Sequence, residues 1–478
     1  MKLHNTLGNH QQPLTPLQDS LITMYNCGLT VYSQPHIGNW VAYLYWDLLH
    51  RTLLSSGYDV NRVQNITDVG HLTDDGDAGE DKMQKGALKE GKTAWDVAEK
   101  YIKIADHEAF ELLGLLRPTH MPRATNYIQQ QIDFVKELES KGYTYVINDG
   151  VYYDTTKFPD YGLMARLDID GLEFGARVAD TGKKNPTDFA LWKFSPKSEK
   201  RDMEWDSPWG KGFPGWHLEC SVMARELLGD QIDIHTGGID HIPIHHTNEI
   251  AQTEAITSLQ FAQIWVHANH LKVDGTKISK SLGNGYTLQN IIDKGYSLEA
   301  FKLLVLSKHY STEGNFSWEI LEAANNRLTR WRAIAALRHQ IHDTLVDDDE
   351  KDSTNTVNGV LLAASHAALE KLQSDLNSPE AIAVIEQAFD RVESADPTKV
   401  QSASLVALLE WIKDSFGIDL LTSTPDIPDE AKQAILRRRT ARSNKDWAES
   451  DRIRDELMSE YNITLLDSEH ATIWRYKS

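Results

Sequence analysis

Residues 22–66 alternate in a way that leaves few folds open. Ile22 to Val31 is a β-rich run. The pair Gly38-Asn39 then opens a helical stretch from Trp40 to Leu54, which Gly57 closes, and Tyr58 to Ile66 reads as the next strand. Strand, helix and strand in that order make a βαβ unit, whose strands lie parallel and whose crossover helix covers the sheet. The expected fold class is therefore α/β: a Rossmann-like, doubly wound parallel sheet. Tyr127 to Lys141 is a further amphipathic helix ending at Gly142, and residues 143–204, rich in turns and short strands, read as an insertion. The β/α pattern resumes with Gly215–Gly229, Ile232–His235 and a helix at Asn248–Ile256.

At 478 residues the chain is too long for one core, and about 150 residues per domain predicts roughly three domains. From about Ser317 the pattern is almost wholly helical. The acidic run Asp347-Asp348-Asp349-Glu350 marks a solvated loop between helices, and a second break at Thr422–Pro428 precedes a small C-terminal unit. No apolar run approaches 18 residues and the first twenty lack an apolar core, so neither a membrane span nor a signal peptide is expected. Two cysteines, Cys27 and Cys220, exclude a disulfide scaffold and make reduced cytoplasm the expected compartment. A net charge of −21 argues against non-specific binding to DNA or anionic membranes, but not against a local basic surface. One such stretch exists: Lys432 to Arg454 holds eight basic residues against three acidic, with Trp447, Trp474 and Tyr476 nearby. Arginine beside aromatic surfaces suits stacking on unpaired RNA bases, although charge alone favours an ordinary cationic helix face.

Three clusters carry chemistry. The segment Cys27 to Asn39 ends at a helix start, where backbone amides attract phosphate and Gly38 removes the Cβ that would obstruct close approach. His36 and Asn39 add donors, although a histidine in this position is commonly a helix cap. Lys277-Ile278-Ser279-Lys280-Ser281 follows Val273-Asp274-Gly275-Thr276, and two lysines alternating with hydroxyls on a glycine-flanked loop can clamp a triphosphate. The third cluster joins Trp216 to Cys220 with His235, His241, His245, His246 and Glu249. His245 and Glu249, four apart, share one helix face. With Cys27 and Cys220 they make two thiolates, an imidazole and a carboxylate, a tetrahedral zinc set in which His246 competes with His245.

Taken in order, these clusters resemble the cysteinyl-tRNA synthetases, a class I aminoacyl-tRNA synthetase family. The resemblance runs nearly end to end and includes Asn65-Ile66-Thr67-Asp68, Pro122-Arg123-Ala124-Thr125, Asn185 to Trp192 and Ile473-Trp474-Arg475. It places His36-Ile37-Gly38-Asn39 at the family's HIGH position and Lys277–Ser281 at its KMSKS position. It therefore implies that His36, Asn39, Lys277 and Lys280 act in adenylate formation, with Lys280 the nearer phosphate contact. Gly38, Thr67, Trp216 and Asp240 fall where the family contacts ATP or the amino acid. Cys27, Cys220, His245 and Glu249 match the ligands of one zinc ion, and Arg442, Trp447, Asp451 and Asp467 match positions that read the anticodon. The implied partners are ATP with Mg2+, L-cysteine and tRNA(Cys), acted on by a monomer with no membrane or DNA partner.

On the same resemblance the chain divides into a catalytic domain (1–117 with 205–270), a connective insertion (118–204) and a region around the lysine loop (271–325). A helical bundle (326–424) and an anticodon-recognition unit (425–478) complete it. Two features depart from the family pattern. Asn39 replaces a histidine, and Val69 to Asp77 replaces an acidic pair followed by lysine, leaving His71 an unplaced ligand candidate. A ligase joining cysteine to a small amine shares the catalytic half but needs no RNA-reading unit. A zinc hydrolase leaves both phosphate loops without a role.

Overall fold

The computed structural model describes the chain apart from residues 71–82, 85, 88–90, 167–181, 197–200, 280–281, 341–355, 468–470 and 478. His71, most of the atypical 69–77 segment, Lys280, Ser281 and the acidic run 347–350 therefore lie outside the described residues. The chain separates into two compact units, residues 1–298 with 310–316, and residues 299–309 with 317–478.

The first unit is built on a four-stranded parallel sheet in the spatial order Ala262–Ala268, Ile232–Gly238, Leu21–Asn26, Asp59–Gln64. Helix Ile37–Ser55 crosses between Leu21–Asn26 and Asp59–Gln64, and helix His245–Thr257 between Ile232–Gly238 and Ala262–Ala268. Tyr25, Val63 and Trp265 face Cys220, Met223 and Ile250 from helices Trp216–Leu228 and His245–Thr257. The alternate residues Met24, Ile234 and Ile264 point the other way and are equally buried. Burial on both faces is what a doubly wound parallel sheet requires, and the expected α/β class is the one found.

Element limits differ from the sequence pattern for local reasons. The first strand stops at Asn26 instead of reaching Val31, because the chain turns in at Gly28. A Cβ there would lie 1.5 Å from the Asn65 carbonyl oxygen, and Gly28 N donates to Asn65 Oδ1 (2.7 Å). The first helix begins at Ile37, ahead of its apolar pattern, because His36 and Asn39 close a capping box around its first turn. The helix expected from Asn248 starts three residues earlier, at His245.

Helix Ile128–Ser140 and an antiparallel sheet, in the order Thr144–Ile147, Gly150–Tyr153, Phe189–Phe194, Gly212–Pro214, complete this unit's second core. Its strands therefore continue past residue 204. Asp188 clamps the entry to the third strand, accepting from Thr155 N (2.9 Å), Asn185 N (2.9 Å) and Tyr145 OH (2.7 Å). The Asn185–Trp192 motif thus serves this sheet: Phe189, Leu191 and Trp192 are core residues.

The second unit is helical, with helices Trp318–Ala335, Val357–Leu372, Ser378–Ser394, Ser402–Phe416, Asp429–Ser443 and Trp447–Glu460 ahead of the hairpin Ile463–Asp467/Thr472–Tyr476. Buried Gln340 exchanges two hydrogen bonds with the Trp474 backbone (3.0 and 2.9 Å), fastening the hairpin to the end of the bundle. No helix among the described residues is long and apolar enough to cross a membrane.

Two carboxylate contacts, one buried and one at the surface, make stability predictions. Asp233, fully buried, accepts from Leu17 N (2.7 Å), Thr23 N (2.8 Å) and Thr23 Oγ1 (2.7 Å), tying adjacent central strands. Asp233→Ala strands three donors, and a loss of about 3 kcal/mol is expected in the unfolding free energy of the first unit, read from its denaturant melt. In the second unit Arg438 grips Asp467 with two hydrogen bonds (2.8 and 2.7 Å) and, with Thr472 and Arg442, holds its carboxyl at about 2. That folded value lies below the unfolded one of about 3.9, so the pair stabilises fully above the unfolded value and loses its effect as the pH falls through 2. Asp467→Asn is expected to lower the urea midpoint of this unit at pH 7, with the deficit shrinking between about pH 4 and pH 2.

Candidate metal centre and nucleotide cleft

Strands Leu21–Asn26 and Ile232–Gly238 are neighbours in the sheet but far apart in sequence, and each leads to its own crossover. At their carboxyl ends such a switch point opens a crevice. Here it is a cleft of about 630 Å3 lined by Cys27, His36, Gly38, Asn39, Thr67, Trp216, Cys220, Asp240 and His245. Nine positions singled out in the sequence thus share one wall, and Glu249 lies buried beneath them.

At the helix end of the cleft, His36 Nδ1 accepts from Asn39 N–H (3.2 Å) while Asn39 Oδ1 accepts from His36 N–H (3.0 Å). This reciprocal cap gives a physical reason for the amide at position 39: its carbonyl closes the box. The lysine loop meets the same helix end. A Cβ on Gly38 would come within 2.6 Å of Ile278 Cδ1, and Ile37 N donates to Tyr286 O (2.7 Å). Lys277 is exposed on the short strand Thr276–Lys277, paired with Leu271–Val273 across a turn at Asp274 and Gly275. Asn284, which sequence reasoning missed, staples the loop: Oδ1 accepts from Ser279 N (2.8 Å) and Nδ2 donates to Lys277 O (3.2 Å). Asp240 faces His270 Nε2 (3.0 Å), whose contact holds its carboxyl below the usual range. The Thr67 hydroxyl accepts from Asn65 Nδ2 (3.0 Å).

At the opposite end four donors converge. Cys27 Sγ, Cys220 Sγ, a His245 nitrogen and a Glu249 oxygen all lie within 4.8 Å of one another and all are buried. Helix His245–Thr257 supplies His245 Nε2 and Glu249 Oε1 one turn apart, at 3.1 Å. Cys27 Sγ is 3.9 Å from the same oxygen. Zinc bonds of 2.0–2.3 Å in a tetrahedron set ligand atoms about 3.3–3.8 Å apart, so small shifts suffice to close the set around an ion. Trp216, first residue of its helix, packs its ring 4.6 Å from that of His245 and walls the site from the cleft side.

A second set shares two of these residues: Cys27, His235, His246 and Glu249. His246 Nε2 lies 3.3 Å from Cys27 Sγ, and His235 Nε2 lies 2.9 Å from Glu249 Oε2. The sequence had His246 as a competitor and left His235 unassigned. The only hint for His235 was its place on a strand whose side chains are all interior. The outer contacts distinguish the two sets. A metal-bound histidine ordinarily partners its other ring nitrogen. His245 Nδ1 meets His217 Nδ1 at 2.9 Å, whereas His235 Nδ1 has no hydrogen-bond partner. The pair of thiolates also makes the first set the softer one. His235 then serves as the hydrogen-bond partner that orients Glu249.

The electrostatics of the cluster ask for a cation. Burial pushes the Cys27 thiol well up, and Cys220 and Glu249 push it the same way. The hydrogen bond from Cys27 holds Cys220 at about 7 against burial. Burial opposes a charge on His245, but Cys220 and Glu249 outweigh it and lift the imidazole to about 10. Burial likewise opposes the Glu249 charge and is outweighed by His235 and His245, leaving the carboxyl at about 2. Protons on Cys27 and His245 thus occupy the electrostatic role that a metal ion would take, displacing them.

Of the positions linked to RNA, three assemble in the second unit. Arg442 pairs with Asp467 (2.8 Å) and lies 6.0 Å from the ring of Trp447, which is 58% exposed. Asp451 sits on the same helix as Trp447 and pairs with Arg454 (3.1 Å).

A family model described as the class I (C) tRNA synthetase catalytic domain matches residues 13–326. Cysteine–tRNA ligase 1 of Burkholderia lata is 43% identical over 464 residues, covering 96% of this chain and 94% of that protein. Cysteine–tRNA ligase of Treponema denticola is 38% identical over 99% of both chains. Among solved structures, Mycobacterium tuberculosis methionyl-tRNA synthetase in complex with methionyl-adenylate superposes with a TM-score of 0.63 at 12% identity, covering 83% of this chain and 92% of that one. With a switch-point cleft bounded by a capped helix and a lysine loop, and with near full-length identity to these ligases, the chain belongs to the cysteine–tRNA ligase family of class I aminoacyl-tRNA synthetases.

Proposed function

We propose that this chain activates L-cysteine with ATP and transfers the cysteinyl group to the 3′ end of tRNA(Cys), selecting its amino acid at a zinc ion held by Cys27, Cys220, His245 and Glu249. The observation that carries the reading is the convergence of those four buried donors at one end of a cleft whose other end is a phosphate-binding helix terminus. The chemistry zinc supplies in such a set is a preference for a soft sulfur donor over a hydroxyl, and so for cysteine over serine.

The remaining roles fall to the chain's own groups. The His36–Asn39 box fixes the first turn of helix Ile37–Ser55, and its amides and dipole favour phosphate. Gly38 lets the Ile278 side of the lysine loop approach that terminus, with Lys277 and Lys280 stabilising the charge that grows as pyrophosphate leaves and Mg2+ accompanying ATP. Thr67, Trp216 and Asp240 line the space between for the amino acid and adenosine. Rate enhancement on this reading comes from positioning and fixed charge, since no enzyme nucleophile is required. A site built around a group its competitor lacks discriminates by about 10⁴ or more without editing. Arg442, Trp447, Asp451 and Asp467 are assigned to the anticodon, as arginine, an exposed indole and carboxylates suit unpaired bases.

The test is charging of a transcript bearing a GCA anticodon with labelled cysteine, with and without a zinc chelator. Metal-dependent charging is expected. Cysteine-dependent pyrophosphate exchange without charging would move the acceptor to a small amine. Cys220→Ala is expected to lose bound zinc and discrimination against serine together, read by metal analysis and by exchange with each amino acid. Lys277→Ala is expected to slow exchange about 100-fold while retaining zinc.

A further inference from the structure

The central strands of a parallel sheet buried on both faces are ordinarily apolar. Three of the residues at the carboxyl edge of this sheet are not. Asn26 and Thr236 are fully buried and face each other across adjacent strands, and Arg62, on the strand at the other side of Asn26, is 1% exposed. Buried polar groups require partners, and these three find them in each other. Arg62 Nε donates to Asn26 Oδ1 (2.8 Å), and Asn26 Nδ2 donates to Thr236 Oγ1. Arg62 is further fixed by Gln64 Oε1 (2.8 Å).

This bridge is the last side-chain rung before the chain leaves the sheet at Cys27. Cys27 N donates to Thr236 O (3.3 Å), the backbone of the residue that receives Asn26, and Cys27 O accepts from Tyr43 OH (3.1 Å). Cys27 is therefore held at both its N–H and its C=O, the first by the backbone of the residue whose side chain the bridge joins to Asn26.

We propose that Arg62, Asn26 and Thr236 are positioning residues for the Cys27 thiolate: a buried three-side-chain brace across three strands that sets its place among the metal donors. The inference rests on the zinc reading above. A bond of about 2.3 Å tolerates little displacement of sulfur, and outer partners of metal ligands typically contribute 10- to 100-fold in affinity. The brace meets the cleft through Cys27, at the proposed amino-acid end, and Arg62, Asn26 and Thr236 are themselves absent from the cleft lining, so none of them contacts ATP directly.

The experiment compares Thr236→Val, isosteric but unable to accept from Asn26, with Thr236→Ser, which keeps the hydroxyl. Zinc affinity is measured by competition with a chromogenic chelator, and KM for cysteine and for ATP by pyrophosphate exchange. Thr236→Val is expected to bind zinc about 10- to 100-fold more weakly and to raise KM for cysteine, with KM for ATP within about twofold of the parent and Thr236→Ser close to it. Because Asn26→Val alone strands a buried guanidinium, the paired change Asn26→Val with Arg62→Met removes the bridge without leaving that charge. It supplies the same comparison should Thr236→Val fail to fold. Zinc affinity and cysteine KM unchanged in a folded variant lacking the bridge overturn the proposal, as does an equal loss in Thr236→Ser. Absence of zinc binding by the parent protein overturns the zinc reading instead.

Discussion

Two thiols and a carboxylate buried side by side at the end of the cleft create a demand for positive charge in the first unit. Cys27 comes from a strand end, Cys220 from the second turn of one helix and Glu249 from the second turn of another, so satisfying that demand brings together three separate parts of the chain. Cys220 and Glu249 favour a positive charge on His245, while His217 and His267 hold the His245 and His246 rings and His235 holds the Glu249 carboxylate. A cluster with this much coupled charge leaves little freedom for the helices that carry it.

The same sheet edge that delivers Cys27 also delivers the proposed phosphate end of the cleft. The strand stops at Asn26 because Gly28 must pass the Asn65 carbonyl, and the chain then runs along the cleft to the capped start of helix Ile37–Ser55. One short connection thereby ties the proposed amino-acid end to the proposed ATP end. The lysine loop closes on it through Ile278 and Gly38, with Asn284 holding the loop's own ends together. In the second unit the analogous economy is Asp467, which joins helix Asp429–Ser443 to the terminal hairpin and orients Arg442 beside exposed Trp447.

Much of this was legible in the residues. The βαβ alternation gave the sheet class, because period and punctuation are local properties. The spacing of His245 and Glu249 placed both on one helix face, and the family motifs pointed to both ends of the cleft. Other features were not legible. His36 reads as a cap on general grounds and as a ligand contact by resemblance, and only the paired distances show that its Nδ1 serves the cap. Asn284 carries no motif of its own. His267 became a neighbour of the cluster, and His235 the partner of Glu249, only when adjacent strands fell into register.

The sequence by itself determined the kinds of element and the chemistry available: an α/β half with a glycine-opened helix start and a lysine loop, a helical half ending in a basic unit, and two cysteines among many histidines. These follow from local periodicity, charge and residue type. The tertiary structure alone decided that His235 meets Glu249 and His267 meets His246, that Asn39 closes a cap, and that Arg62 reaches across the sheet to Asn26. Those outcomes depend on strand order and register, because a side chain's partner in a parallel sheet is chosen by the neighbouring strand and not by its neighbours in sequence.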